Sequence, residues 1–161
     1  MENLQILNTK VDEIKKDNMS LKQLKQLCRK TTGDQLKIYD DDTMIICKYN
    51  GKIIGMCCIA MKSPESHFEN ENDEKSGEIP YLYNYMCDFK YKSKKAAMHM
   101  MFYIKDFIHI TKNIKEINLN TSVDNTHAQQ FFEKNNFVNC GEYQNSRGIY
   151  KMYTCILHDD L

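Results

Sequence analysis

The sequence is short of several features that would mark it for a particular task. Its 22 basic side chains are balanced by 22 acidic ones, so no net field draws the chain to nucleic acid or to an anionic membrane. No apolar run approaches the ~18 residues of a membrane-spanning helix. The opening Met1-Glu2-Asn3-Leu4-Gln5 lacks the basic and apolar regions of a secretory leader. Seven cysteines are scattered without a C-x-x-C pair, which argues against a zinc or dithiol motif and suits reduced thiols in the cytoplasm. Cys57 and Cys58 would point to opposite faces of a strand, and the set reads as small buried hydrophobes. No metal site is expected. Internal repeats and linkers are missing too. With 161 residues, 42% of them hydrophobic, the expectation is one domain over 1–161 with a substantial core.

What is present alternates between the two regular periods. Leu4–Leu7 reads as a short first strand. Val11–Ile14 and Leu21–Leu27 carry apolar residues at helical spacing, with Ser20 as N-cap of the second run and Gly33 closing the region. Asp40-Asp41-Asp42 makes a charged turn before Thr43–Tyr49. Asn50-Gly51 then joins that run to Lys52–Ala60, and both turn residues tolerate positive φ, so a β-hairpin is predicted. Ser63–Gly77 is polar, with Glu65, Glu69, Glu71, Asp73 and Glu74, and reads as a loop, either a solvated acidic one or an acidic lip that would attract a cationic substrate. Farther on come a strand at Lys115–Thr121, a short helix entered through Asp124-Asn125 and left through Asn135-Asn136, and two strands at Phe137–Tyr143 and Gly148–Leu157.

The stretch Tyr81–Ile110 carries the first functional signal. Pro80 opens a strand in which Tyr81, Tyr83, Tyr85 and Cys87 share one face by alternation. Lys90-Tyr91-Lys92-Ser93-Lys94-Lys95 then turns directly into a helix, where Ala97, Met100, Met101, Ile104 and Ile108 form an apolar stripe widened by Met98, Phe102 and Phe107. His99 and His109 read as packed or surface residues of that helix. A strand that feeds a helix through a polar turn aims backbone N–H groups, and about half a positive charge, at whatever lies above it. Phosphate or pyrophosphate is the natural ligand. The turn nevertheless has no glycine.

Two segments give the order of elements a family. Lys92-Ser93-Lys94-Lys95-Ala96-Ala97 resembles the Q/R-x-x-G-x-G/A turn of the GNAT superfamily of N-acetyltransferases. Asn125-Thr126-His127-Ala128-Gln129-Gln130-Phe131-Phe132-Glu133-Lys134-Asn135-Asn136-Phe137 resembles its N-x-x-A-x-x-x-Y-x-x-x-G-F segment. The resemblance covers roughly Thr43 to Leu157. Lys92 replaces the usual Arg or Gln, keeping charge but losing a planar fork. Lys95 stands where the first glycine belongs, Phe132 where many members carry a tyrosine acid, and Asn136 where a glycine precedes the aromatic residue.

The resemblance implies an α/β (α+β) fold, a mixed and mostly antiparallel sheet with helices on both faces. It also implies an N-acetyltransferase that moves the acetyl group of acetyl-CoA to a primary amine by direct attack in a ternary complex. The amine would belong to a small amine, a polyamine or a lysine side chain, and the acidic insert favours a cationic acceptor. Met86, Cys87 and Asp88 would hold the pantetheine arm through backbone groups. Lys92, Ser93, Lys94, Lys95, Ala96 and Ala97 would hold the pyrophosphate, with Asn125 and Phe132 completing the cofactor side. Glu78 acting through water, or Tyr81 as a relay, is the candidate base. Tyr83 and Tyr85 would line the acceptor side. Tyr143, Tyr150 or Tyr153 would replace Phe132 as acid, and Cys87 lacks an identifiable histidine to activate it as a nucleophile. A monomer or homodimer is expected, with neither nucleic acid nor membrane as partner. Two other readings stay open: a GNAT-fold binding module without catalysis, and transfer of a longer acyl chain.

Overall fold

The computed structural model describes residues 3–61, 79–111 and 114–157. The acidic insert Ser63–Gly77 and the candidate base Glu78 lie outside the described residues. Among the described residues, seven strands form one mixed sheet in the order β1-β2-β3-β4-β5-β7-β6, and four α-helices accompany them, an α+β architecture. The chain divides into two compact units, residues 1–60 with 84–106 and residues 61–83 with 107–161.

In the first unit β1 (Leu4–Lys10), β2 (Thr43–Tyr49) and β3 (Lys52–Ala60) pair antiparallel. The first strand is thus longer than Leu4–Leu7. Asn50 at φ 49° and Gly51 at φ 83° make the predicted two-residue hairpin. Every residue of β3 after Lys52 is buried, as a strand covered on both faces requires. Two helices supply the cover. α2 (Asn18–Thr32) reaches the Met86 side, where Thr31 Oγ1 lies 3.3 Å from the Met86 sulfur. α3 (Ala96–Asp106) reaches the Cys87 side, where Gly55 sits beneath Met100 and Cys87.

A Cβ on Gly55 would lie 3.2 Å from the Met100 sulfur and 3.3 Å from the Cys87 thiol, so glycine here permits a close helix–sheet approach. α1 (Val11–Ile14) is one turn long. The cap of α2 is Asp17 and not Ser20: the Ser20 N–H and hydroxyl both donate to the Asp17 carboxylate, at 3.3 and 2.9 Å. A carboxylate three residues upstream outcompetes the serine, which takes the third helical position instead. Gly33, at φ 78°, closes α2 as expected.

In the second unit β5 (Glu116–Ser122), β7 (Gly148–Ile156) and β6 (Val138–Asn145) pair antiparallel, and the start of β4 pairs parallel with β5 through Tyr81 and Leu82. Burial along β5 alternates residue by residue. α4 (Thr126–Lys134) covers the face of Ile117 and Leu119: Tyr153, paired with Leu119, donates to Glu133 at 2.7 Å, and Lys151 donates to Gln129 at 3.0 Å. The opposite face is polar, with Thr154 bonded to Asn118 and Asn120 bonded to Tyr143.

Two expectations need correction. Phe102, expected to widen the apolar stripe of α3, is 56% exposed and stands off the buried face of Ala96, Met100, Met101 and Ile104. Cys140 is exposed, while five of the seven thiols are buried and Cys87 is half-buried. Cys140 is the extra residue of a bulge on β6, between Asn139 and Gly141, which removes it from the strand's regular alternation.

Candidate functional site

In the first unit the turn is built from the end of β4 (Tyr81–Cys87) and the 3-10 segment Phe89–Lys94. Asp88 shapes it. Its carboxylate accepts from the Lys90 N–H at 3.0 Å and from the Lys30 ammonium at 3.0 Å, and only 5% of the residue is exposed. Burial opposes its charge, yet the Lys30 and Lys90 hydrogen bonds prevail and hold its pKa below the ordinary carboxylate range. The Asp88 N–H donates to Ile54 O at 2.7 Å, and its carbonyl accepts from Tyr91. Asp88 is therefore fully committed to the fold of the turn.

Lys95 ends the 3-10 segment at φ 56°, ψ 40°, a left-handed conformation. This is the position that glycine holds in the resembled turn. The backbone route survives without the glycine. The Lys95 carbonyl accepts from His99 at 3.1 Å, which starts the helical ladder, so the N–H groups of Ala96, Ala97 and Met98 precede any acceptor within the helix. They are oriented for an anion.

The lysines fan outward. Lys94 Nζ lies 4.8 Å from the centre of the Tyr49 ring, Lys92 Nζ 5.4 Å from Phe89, and Lys90 Nζ 5.9 Å from Tyr91. Each is a cation–π contact.

Farther back on β4, Tyr85 donates to Ala97 O at 2.5 Å. Burial, with Cys57, Cys87 and Cys47 adding, drives its phenol well above the ordinary value. Burial likewise pushes the Cys87 thiol up to about 12. A thiol that holds its proton this firmly is a poor nucleophile. Asn84, at φ 54°, is a left-handed residue inside the strand, and sequence reading passed over it because its tyrosine neighbours signal regular strand.

In the second unit Asn125 caps α4. Its side chain accepts from the Ala128 N–H at 3.1 Å, so the N-x-x-A spacing is that of an N-cap and the third helical residue. Phe132 is buried between Phe131 and Phe137, at centroid distances of 5.4 and 5.7 Å. The Tyr153 hydroxyl, one strand away, is held by Glu133; burial first, then the Glu133 bond and charge, raise it to about 12.

On the other face, Tyr81 is 4% exposed. Burial and the nearby Tyr143 raise its pKa, against a lowering hydrogen bond from Asn120. Tyr143 shares Asn120 and stacks on Tyr150 at 5.2 Å. Tyr83 is half-buried. The predicted residues thus fall into two groups, one in each unit: Met86 to Ala97 with Tyr85, and Tyr81 and Tyr83 with Asn125 and Phe132. Among the described residues no cluster of three or more His, Cys, Asp or Glu could hold a metal. No described helix is long and apolar enough to cross a membrane.

Comparisons with known proteins bear on the fold and the family. Among curated protein sequences none matches significantly. The ribosomal-protein-S18-alanine N-acetyltransferase of Escherichia coli is similar in structure, with TM-score 0.67 and 9% identity over 97% of this chain and 96% of that one. A putative GNAT-family acetyltransferase of Desulfovibrio desulfuricans gives TM-score 0.70 and 8% identity over 96% and 99%. Ard1 of Thermoplasma volcanium gives 0.66 and 10% over 97% and 99%. Identities this low speak for the fold. The sequence model of the acetyltransferase (GNAT) family matches residues 11–137, and the chain therefore belongs to the GNAT family of acetyltransferases.

Proposed function

We propose that the protein is an acetyl-CoA-dependent N-acetyltransferase acting on a primary amine. The observation that carries this reading is Lys95, which holds the left-handed conformation of the missing glycine and so presents the N–H groups of Ala96, Ala97 and Met98 at the head of α3. These groups, with the Ser93 hydroxyl and the ammonium groups of Lys92, Lys94 and Lys95, would hold the pyrophosphate. The backbone of Met86 and Cys87 would hold the thioester arm, and Asp88 fixes the turn that joins the two. Acetyl-CoA supplies the activated acyl group.

The acceptor must lose a proton before it can attack. Glu78 acting through water, or Tyr81 as a relay, is the group that takes it; with its raised pKa Tyr81 stays a neutral phenol near pH 7 and so acts only as a hydrogen-bonding relay. Tyr83 lines the acceptor side; the Tyr85 hydroxyl is already committed to Ala97 O. Phe132 has no hydroxyl to donate, and of the tyrosines that could stand in for it as acid Tyr153 is 1% exposed and already donates to Glu133, which leaves Tyr143 or Tyr150. The acidic insert suits an acceptor with positive charge, a polyamine or a lysine side chain among them.

Titration calorimetry with acetyl-CoA, followed by thiol release across a panel of amines, tests the reading. Binding in the micromolar range with turnover of at least one amine is expected, and no binding at millimolar acetyl-CoA refutes it. The packing of Phe132 among aromatic rings favours a second reading, a binding module without catalysis. Acetyl-CoA binding without thiol release from any amine would select that one.

A further inference from the structure

Among the described residues, four other than glycine have positive φ: Asn50, Asn84, Lys95 and Asn136. Asn50 belongs to a hairpin turn, Lys95 to the entry of α3, and Asn136 to the exit of α4. Asn84 belongs to neither a turn nor a cap. It sits inside β4, whose pairing with β5 covers Tyr81 and Leu82. A left-handed residue within a strand costs folding free energy and persists where its surroundings fix it.

The surroundings do fix it. The Asn84 side-chain amide donates to the Lys37 carbonyl at 2.8 Å, in the segment between α2 and β2. The next residue, Tyr85, is held to Ala97 O at 2.5 Å. Beyond it, Met86 meets Thr31, and the Asp88 N–H is bound to Ile54 O. β4 is thus anchored at successive points from Asn84 to Asp88. Asparagine meets both demands of its position, tolerance of positive φ and a donor for Lys37. Glycine would meet only the first.

We propose that Asn84 is a positioning residue for the thioester arm of the acyl donor. Its left-handed backbone sets the direction of the Tyr85–Cys87 peptide units, and its tether to Lys37 holds them in that direction. The inference rests on reading the end of β4 as the acyl-CoA site. Lys37 O accepts the bond through its backbone, so the substitutions belong at Asn84.

Asn84→Gly keeps the backbone conformation and removes the tether; Asn84→Ala removes both. Acetyl-CoA affinity by calorimetry should fall about three- to tenfold in the first variant, the effect of one amide–carbonyl hydrogen bond. It should fall more than about tenfold in the second. Amide hydrogen exchange at Tyr85–Cys87 without ligand should quicken in both. A purely structural role would lower Tm and leave the affinity of the folded variants unchanged, so affinities within about twofold of wild type overturn the proposal. Should Asn84→Ala fail to fold, the glycine variant alone decides. A wild-type protein that does not bind acetyl-CoA overturns this inference and the proposed function together, whereas wild-type binding with unchanged variants overturns this inference only.

Discussion

The hydroxyl of Tyr85 donates a 2.5 Å hydrogen bond to the carbonyl of Ala97, joining the strand that enters the candidate cofactor turn to the first turn of the helix that leaves it. The bond closes a loop of chain around Asp88–Lys95. Helix carbonyls already accept from the residue four positions on, so the phenol is a second donor to a partly satisfied oxygen. Its contribution is that of one ordinary bond and not the rescue of an orphan.

Tyr85→Phe should therefore lower stability by about 1 kcal/mol and Tm by about 2–4 °C. The ring keeps its packing, and the loss falls on the rigidity of the turn. Thermal unfolding checks the magnitude, and hydrogen exchange at Lys90–Lys95 should quicken. A variant as stable as wild type, with unchanged exchange, would show that packing alone holds the turn.

Lys95→Gly tests how the turn works without its glycine. A lysine at φ 56° carries a left-handed cost of about 1–2 kcal/mol, offset by the roughly 0.5–1 kcal/mol by which glycine favours the unfolded chain. The net gain for the variant is up to about 1.5 kcal/mol. Acetyl-CoA affinity should fall about tenfold, the loss of one charged contact to the pyrophosphate worth about 1.5 kcal/mol; affinity within about threefold of wild type would take the Lys95 ammonium out of the ligand set and leave the backbone N–H groups. Chemical denaturation and calorimetry on the same sample separate the two effects.

Which of these features the sequence disclosed depends on how local their cause is. The Asn50-Gly51 hairpin, the Gly33 cap and the exit through Asn136 were legible because two or three neighbouring residues determine them. The turn at Lys90–Lys95 was legible as a strand-to-helix junction. Its conformation at Lys95 was not, since lysine carries no signal for positive φ. Asn84 was hidden for a related reason: a partner 47 positions away, Lys37, helps to hold it, and local propensity pointed to regular strand. Lys30 could not be matched with Asp88 before the fold placed α2 beside the end of β4. Ser20 lost its predicted cap to Asp17 because two good capping residues stood three positions apart, and sequence alone does not rank them.

The end of the second motif predicts its own mutational response. Asn136, at φ 71°, lets its N–H reach Glu133 O at 3.2 Å and the Phe137 N–H reach Phe132 O at 3.0 Å. This is the paired closure of a helix by a left-handed residue, with the Phe132 and Phe137 rings in contact 5.7 Å apart. Asn136→Gly should be neutral or slightly stabilising, while Asn136→Ala should cost about 1 kcal/mol. Phe137→Ala, at a site 2% exposed, should cost about 3–5 kcal/mol. Equal midpoints for the glycine and alanine variants in urea would contradict the closure.

Stability should decline on the alkaline side, and the groups responsible are named by their burial. Burial raises the Cys47 thiol from 9.0 to about 11, and burial with the neighbouring Cys47 raises the Cys87 thiol from 9.0 to about 12. Burial, then the Glu133 bond and charge, raise the Tyr153 phenol from 10.0 to about 12. As pH climbs past 9.0 the unfolded chain releases thiol protons that the folded chain still holds. The unfolded state then binds fewer protons, so unfolding free energy falls with pH. Each fully retained proton removes up to about 1.4 kcal/mol per pH unit. The contribution is whole below the unfolded values and is spent for Cys47 by about pH 11. Urea midpoints should be level near pH 8 and fall steadily by about pH 10.5. Cys47→Ala should start from lower stability, because a buried group is lost, yet fall less steeply over the same interval. A level wild-type profile would mean that these thiols ionise as freely in the folded protein as in water.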